Sequence, residues 1–247
     1  MKSIIWFRND LRTLDNPALW HACQSSNEVI AIYLIFEEQW EKHGDAKCKI
    51  NFWLKSLASL SASLRDLNIP LRIINADNYE NTPEVILNFS QKNDISNIFF
   101  NLEYPINELI RDREVYKSIQ ENGIGVHTFH DQVIHEPGTL KTGAGNNFSV
   151  YSPFKRKWFE LLEDNMLKLY PVPEPRNDLK QNTSDLSDLL KKYHSSIGDG
   201  WEIGENLIQK KIREFLDQKG GKYKDERNFP SIDGCSKLSP YLNACLL

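Results

Sequence analysis

The sequence contains few cysteines, and none is placed as a metal site or a redox pair requires. Only four occur among 247 residues, namely Cys23, Cys48, Cys235 and Cys245. No two of them form a Cys-x-x-Cys, and no histidine cluster accompanies them. Structural zinc sites and dithiol redox sites need such close spacing. We therefore expect no metal site and a reduced, cytoplasmic setting.

The sequence also lacks a long apolar run. Arg8 and Asp10 interrupt the N-terminal stretch early, so it does not have the basic-then-apolar pattern of a secretory signal. No run reaches the roughly 20 apolar residues that a membrane-spanning helix needs. We therefore expect no association with membranes. We also expect a monomer.

An excess of positive charge is absent as well. The net charge is −4 and the pI is about 5.9, so general binding to nucleic acid is not favoured and any DNA contact would need a local patch. No Gly-x-Gly-x-x-Gly follows the first predicted strand, and no P-loop occurs. These absences exclude the two commonest nucleotide-binding fingerprints.

What the sequence does contain is an alternation of predicted strands and helices. Runs rich in β-branched and aromatic residues predict strands at residues 3–7, 28–36, 71–74, 98–100 and 125–129. Helical periodicity predicts one helix from Pro17, capped by Asn16, and others at 48–67, 82–93 and 106–122. We expect residues 1–130 to form a Rossmann-like α/β domain, with a parallel five-stranded sheet and helices on both faces.

The composition changes after residue 130. Residues 131–200 are predicted to be an interdomain linker, with prolines keeping 171–175 extended and a polar, mobile surface segment at 181–196. Residues 201–247 are predicted to begin an all-helical domain. Its first helix has an apolar stripe (Ile208, Ile212, Phe215 and Leu216) for which we expect no partner surface.

Polar residues follow the first predicted strand directly, as Arg8, Asn9, Asp10 and Arg12. Loops at the carboxyl ends of strands bind ligands in open α/β sheets. The alternative is that Arg8 and Asp10 pair with each other and only brace the loop.

A second polar pair, Asn107 and Glu108, follows the fourth predicted strand. An amide and a carboxylate offer the paired hydrogen bonds that a pterin-like ring needs. The alternative is that both residues simply favour a helix N-terminus.

The basic segment around residues 155–158 allows more than one interpretation. The residues Lys155, Arg156 and Lys157 beside Trp158 have the chemistry for DNA phosphate contact and stacking. We favour instead a helix with solvated cations, in which Phe154, Trp158 and Leu161 pack inward.

Near the C-terminus, small hydroxyl residues precede a predicted helix start. Ser236 and Ser239, with free backbone N–H groups between them, suit an anion nest. Ordinary helix capping is the alternative, and the two roles are compatible.

Three separated segments carry recognisable signatures: residues 6–19, with Trp-Phe-Arg-Asn-Asp-Leu-Arg; 101–112, with Asn-Leu-Glu-Tyr; and 223–242, with Gly-Cys-Ser-Lys-Leu-Ser-Pro-Tyr-Leu. Together they resemble the photolyase/cryptochrome flavoproteins, most closely the bacterial cyclobutane pyrimidine dimer photolyases. A segment at 150–158 also matches. Cys235 stands where the family usually has Thr, so one hydroxyl donor is lost.

The resemblance implies a set of cofactor contacts. Tyr223, Ser236, Lys237, Leu238 and Ser239 would line the pyrophosphate of FAD. Asn107 and Glu108 would contact a light-harvesting (antenna) methenyltetrahydrofolate.

The resemblance also implies an activity, namely light-driven repair of pyrimidine dimers in DNA by a deoxyribodipyrimidine photo-lyase. We expect this sequence to correspond to the front part of a family member and to be inactive in repair alone, with the catalytic residues outside it. A blue-light photoreceptor of the cryptochrome type and a non-enzymatic antenna-binding fragment are the alternatives.

Overall fold

The computed structural model describes residues 1–163, 169–177, 182–197, 199–244 and 246, and among these it confirms the α/β architecture. The parallel sheet contains β1 (Lys2–Phe7), β2 (Glu28–Ile35), β3 (Leu71–Asn75), β4 (Asn97–Asn101) and β5 (Gly125–Phe129). The helices between the strands are α1 (Pro17–Ser25), α2 (Glu37–His43), α3 (Lys47–Asp66), α4 (Thr82–Lys92) and α5 (Ile106–Glu121). The helices after β5 are α6 (Tyr151–Glu160), α7 (Ser187–Lys192), α8 (Glu205–Gln218), α9 (Tyr223–Glu226) and α10 (Ser239–Asn243).

The order of the strands places a ligand crevice beside β1. The order is β3-β2-β1-β4-β5, so the chain builds outward from β1 on one side and then returns to its other side. Ile5 pairs with Phe99 at the border between β1 and β4. The carboxyl ends of β1 and β4 therefore flank the point where the strand order reverses, which is where open α/β sheets bind ligands.

Both faces of the sheet carry a hydrophobic core. Side chains alternate along a strand, so Ile5 and Phe7 join one cluster while Ile4 and Trp6 join the other. All four are fully buried. The first cluster includes residues of α1 and α3 and the second includes residues of α4 and α5, which confirms the prediction of helices on both faces.

The start of α1 agrees with the prediction. Asn16 Oδ1 accepts a hydrogen bond from the backbone N of Leu19 at 3.0 Å, and Pro17 occupies the first turn. This cap fixes where the polar loop after β1 ends.

Helix α2 is absent from the sequence-based prediction. It has only 7 residues, too few for helical periodicity to be evident. Its ends nevertheless carry helix signals: Glu37 and Glu38 lie in the first turn, His43 lies in the last, and Gly44 caps it with a φ of +64°.

Most described residues of the segment 181–196 lie at the surface as predicted, but part of the segment is bound to the edge of the sheet. The first residue of the segment lies outside the described residues. The backbone N of Ser184 donates to the Leu71 carbonyl at 2.8 Å, and the backbone N of Ile73 donates to Ser184 Oγ at 3.0 Å. Leu186 is buried in the core. Because β3 is an edge strand with polar backbone groups on its outer side, the connector supplies the partners that this edge needs.

The apolar stripe on α8 has a partner surface over its first half, contrary to our expectation. Ile208 is only 2% exposed, and Ile212 packs against the core that Tyr241 and α3 share. Leu216, farther along, is 61% exposed. Residues four apart lie on one helix face, so the face that carries Ile208 and Ile212 is covered within the described part of the chain. None of the described helices is long and apolar enough to cross a membrane.

Candidate ligand-binding site

A buried ionic cluster lies where β1 and β4 end. Arg8 Nη1 lies 3.2 Å from both carboxylate oxygens of Asp112. Arg111 Nη2 lies 2.6 Å from Glu103 Oε2 and 2.8 Å from Asp112 Oδ1. All four side chains are at most 6% exposed. Two cations and two anions balance within the cluster, and such pairing makes the burial of ions tolerable.

Aromatic rings restrict the two guanidinium groups. The Arg8 Cζ atom lies 4.4 Å from the centroid of Trp6 and 4.8 Å from that of Phe100. The Arg111 Cζ atom lies 4.9 Å from the centroid of Trp6 and 4.8 Å from that of Tyr79. Because desolvated cation–π contacts are favourable, both arginines are held in defined orientations.

Neighbouring cations keep Glu103 ionised. Burial by itself would raise the pKa of Glu103, but the charges of Arg8 and Arg111 outweigh it and lower this pKa. Asn9 Nδ2 also donates to Glu103 Oε1 at 2.7 Å. Burial raises the pKa of Tyr33, so its phenol stays protonated beside this carboxylate.

Asp10 organises the loop and does not form an ion pair with Arg8. Its Oδ1 accepts a hydrogen bond from the backbone N of Arg8 at 2.8 Å, and its Oδ2 accepts one from Asn101 Nδ2 at 2.7 Å. The alternative in which Arg8 and Asp10 pair their charges is therefore wrong. The partner of Arg8 is Asp112, which α5 brings to this edge from 104 residues away.

Beside the ionic cluster lies a cavity of about 520 Å³. This volume falls within the range of small-molecule sites. Its aromatic lining residues are Phe7, Tyr33, Phe36, Trp40, Trp53 and Tyr79. Its polar residues include Arg8, Asn9, Gln39, His43, Asp45, Lys49, Glu103, Glu108, Arg111 and Gln132, and Leu242 and Asn243 of α10 line a further side. Flat aromatic walls with donors and acceptors between them suit a planar heterocycle.

The structure places Glu108 and Asn107 in neighbouring cavities. Glu108 lines the large cavity, and its Oε1 accepts a hydrogen bond from Tyr79 Oη at 3.1 Å. Asn107 is exposed and lines an adjoining cavity of about 410 Å³. Tyr79 and His43 line both cavities. The two residues thus lie on either side of a shared wall, and their contact with a folate stays a prediction.

Helix α2 contributes cavity residues that the sequence did not indicate. Gln39, Trp40 and His43 all line the large cavity, and Gln39 Nε2 lies 2.7 Å from His43 Nε2. The cap at Gly44 and the charges at the two ends of α2 were the signals that could have revealed this helix.

The residues predicted to hold FAD lie near the surface, around the start of α10. Ser236 and Leu238 are half-buried, whereas Tyr223, Lys237 and Ser239 are exposed. The backbone N of Leu238 donates to Ser236 Oγ at 3.4 Å. Lys237 has a φ of +55°, a left-handed conformation that is unusual for a residue other than glycine. The loop therefore turns sharply before α10, and its contact with FAD stays a prediction.

Two lysines near this loop share one carboxylate. Lys219 Nζ lies 2.7 Å from one Asp233 oxygen, and Lys237 Nζ lies 2.8 Å from the other. Hydrogen bonds from Lys219 and then Lys237 lower the pKa of Asp233 to about 2. The amines provide the charge that a phosphate needs.

Comparison with known proteins identifies the family. The family model described as DNA photolyase matches residues 3–176. The chain belongs to the DNA photolyase family. A curated deoxyribodipyrimidine photo-lyase of Buchnera aphidicola is 32% identical over 250 residues, which cover 100% of this chain and 51% of the relative.

Solved photolyase structures share the fold. The bacterial class III photolyase from Agrobacterium tumefaciens matches with a TM-score of 0.85 and 25% identity, over 100% of this chain and 51% of that one. An archaeal photolyase from Sulfolobus tokodaii, described with two FAD molecules, matches with a TM-score of 0.74 and 21% identity. The match covers 100% of this chain and 53% of that one, and it supports the fold alone. The photolyase-family chain thus spans about half the length of the relatives that it matches.

In this photolyase-family chain, α8 is tied to the loop after β1. Glu205, at the first turn of α8, accepts hydrogen bonds from the backbone N of Thr13 at 2.6 Å, from Thr13 Oγ1 at 3.0 Å and from the backbone N of Leu14 at 3.1 Å. The backbone N of Tyr170 donates to Asp15 Oδ1 at 3.0 Å. The polar loop thus holds both the connector and the start of the C-terminal segment.

A second buried ion pair lies behind the same loop. Arg12 Nη2 lies 2.5 Å from Asp131 Oδ1, and the side chain of Asp131 is 4% exposed. Burial raises the pKa of Asp131 to about 6, the charge of Arg12 opposes this rise, and the negative charges of Asp10 and Asp15 add to it.

Helix α6 only partly follows the prediction for the basic segment. None of its residues is fully buried. Phe154 and Trp158 are half-buried, and His135 lies 2.9 Å from the Trp158 carbonyl oxygen. Leu161 is 38% exposed, so the prediction that it packs inward is wrong. The helix ends at Glu160, which leaves Leu161 outside the amphipathic face.

Proposed function

We propose that this chain forms the antenna-binding and first flavin-contacting part of a deoxyribodipyrimidine photo-lyase, which repairs cyclobutane pyrimidine dimers in DNA with light. The observation that carries the proposal is the 520 Å³ cavity at the carboxyl ends of β1 and β4, in a chain of the photolyase family. The cytoplasmic location and the monomeric state stay predictions.

A reduced folate fits the donors and acceptors of the cavity. Glu108 offers a carboxylate to ring N–H groups, and Tyr79, which donates to that carboxylate, keeps it oriented. Burial raises the pKa of Tyr79, so its phenol remains a donor. Trp40 and Trp53 offer faces for stacking. We propose that Glu108, with Asn107 on the adjoining side, contacts the pterin of methenyltetrahydrofolate.

The donor set near α10 fits the pyrophosphate of FAD. Ser236 and Ser239 offer hydroxyls, and Lys237 offers an amine within the same loop. Tyr223 lies on α9, which precedes the loop. When bound and reduced, FAD would supply the electron that splits the dimer. The role of these residues is to hold and orient the phosphates, and Cys235 leaves one donor fewer than in the typical family motif.

The test is an absorption spectrum of the purified chain after incubation with FAD and methenyltetrahydrofolate and removal of the excess. Retained flavin bands support the contact at Ser236–Ser239, and a retained folate band that is lost in Glu108→Ala supports the cavity assignment. Absence of both bands would overturn the proposal for this chain.

A second candidate is an antenna-binding fragment without repair activity. It is favoured by the contrast between the cavity, which aromatic and ionic side chains line, and the exposed side chains of Lys237 and Ser239. Irradiation of the chain with dimer-containing DNA separates the two functions, since light-dependent cleavage of dimers by the chain alone would exclude the fragment.

A further inference from the structure

Helix α10 has one face anchored in the protein. Tyr241 is fully buried, and its hydroxyl donates to the Glu202 carbonyl at 2.8 Å. Its ring lies 5.8 Å from Phe52 on α3 and 5.9 Å from Trp201, measured between centroids. Ala244, directly after the helix, is 2% exposed. These contacts place α10 against the α/β unit.

The other face of α10 borders the large cavity. Leu242 and Asn243 line it, together with residues from the carboxyl edge of the sheet. Asn243 also lines a second cavity of about 260 Å³, which shares Trp53 and Lys49 with the first. A ligand that fills the large cavity would therefore contact α10.

The same helix continues the proposed FAD loop without a break. Ser239 is both the last residue of that loop and the first residue of α10. The loop is fixed in part: Leu238 packs against the core and Lys237 pairs with Asp233. The side chains of Lys237 and Ser239 are nevertheless exposed, and the hydrogen bond from Leu238 N to Ser236 Oγ is long, at 3.4 Å. A ligand that packs on the free face of α10 consequently limits the conformations that remain open to the exposed part of the loop.

We propose that Leu242 and Asn243 are positioning residues through which a ligand in the large cavity and FAD on the Ser236–Ser239 loop increase each other's affinity. This inference rests on the proposed function, since it takes folate and FAD as the two ligands. Ordering a loop costs conformational entropy. The ligand that binds first orders the loop, so the second ligand binds without that entropic cost. Linkage requires the same factor in both directions, about tenfold for couplings of ordinary size.

The test is a pair of titrations of the whole 247-residue chain. FAD is titrated with and without saturating 5,10-methenyltetrahydrofolate, and the folate is titrated with and without saturating FAD. We expect each ligand to lower the dissociation constant of the other about tenfold. In the double variant Leu242→Ala/Asn243→Ala the factor should fall to about one, whereas Leu216→Ala, an exposed residue on α8, should keep the wild-type factor.

A second readout needs the folate alone. Amide hydrogen exchange of residues 236–244 should slow when 5,10-methenyltetrahydrofolate binds, and should not slow in the double variant. Folate binding without slower exchange would overturn the coupling and leave the proposed antenna site intact. An unchanged coupling factor in the double variant would overturn the role of Leu242 and Asn243. If neither ligand binds, the proposed function fails, and this inference fails with it.

Discussion

The two charged regions of the molecule differ in how their ions are held. At the sheet edge, Arg111 bridges Glu103 and Asp112, and all three side chains are at most 6% exposed. Near α10, Asp233 bridges Lys219 and Lys237, with side chains between 31% and 60% exposed. In both groups one ion bridges two ions of opposite charge, but the first group is buried and the second is exposed to solvent.

This difference suggests that the two sites form in different ways. Buried ions must keep their partners, because an unpaired buried charge is strongly destabilising. The cavity beside Arg111 is therefore built as the chain folds. Exposed ion pairs contribute little to stability, so Lys237 can exchange Asp233 for a phosphate at small cost. The loop site is therefore completed by its ligand.

Breaking the buried cluster should have the largest effect. Arg111→Met leaves Glu103 and Asp112 with one cation for two carboxylates, and we expect it to lower the free energy of unfolding by about 3–5 kcal/mol. Urea denaturation measures this loss. The matched variant Lys237→Met in the exposed group should leave the midpoint unchanged. If both variants lowered the free energy of unfolding equally, the proposed difference between the buried and the exposed region would be wrong.

The Asp131 pair should make stability depend on pH. Because burial raises the pKa of Asp131 to about 6, the folded state binds a proton between about pH 4 and pH 6 that the unfolded chain releases. The contribution is present below that window and lost as the pH rises through it. Relative to Asp131→Asn, the wild type should lose about 3 kcal/mol between pH 4 and pH 7.

The control is Asp188→Asn, which alters a fully exposed carboxylate on α7. Its stability should follow the wild type across the same pH range. A constant difference between wild type and Asp131→Asn would show that Asp131 is ionised throughout.

The hydrogen bonds between the loop after β1 and the start of α8 link the two regions, and breaking them should have an intermediate effect on stability. Glu205→Ala removes the acceptor of the Thr13 and Leu14 N–H groups, and we expect a loss of about 1–2 kcal/mol. Hydrogen exchange should quicken in α8 and at residues 13–14 while β1 stays protected. Glu205→Gln keeps one acceptor oxygen, so its free energy of unfolding should lie between those of the wild type and Glu205→Ala. Faster exchange throughout the sheet would contradict a local role.

The sequence predicts features that depend on residues close together in the chain, and it does not predict contacts between residues that are far apart in it. The strand of Ile4–Phe7, the cap at Asn16 and the stripe containing Ile208 depend on local patterns, and the sequence indicates them. The partner of Arg8 could not be predicted, because Asp112 is brought to it by the packing of α5. The cavity wall from Leu242 and Asn243 has the same origin, since α10 docks on α3 through Tyr241.

The smallest effect on stability should come from Asp233→Asn, and it tests the exposed region by its ligand. The substitution removes the carboxylate that Lys219 and Lys237 share, and since exposed pairs contribute little, the unfolding midpoint should not move. Without that carboxylate both amines are free to contact a phosphate. FAD affinity should therefore rise by about twofold to fivefold, measured by quenching of flavin fluorescence. In Asp233→Asn/Lys237→Met the gain should disappear, because one amine is lost; a gain that persists there would show that Lys237 does not contact the cofactor.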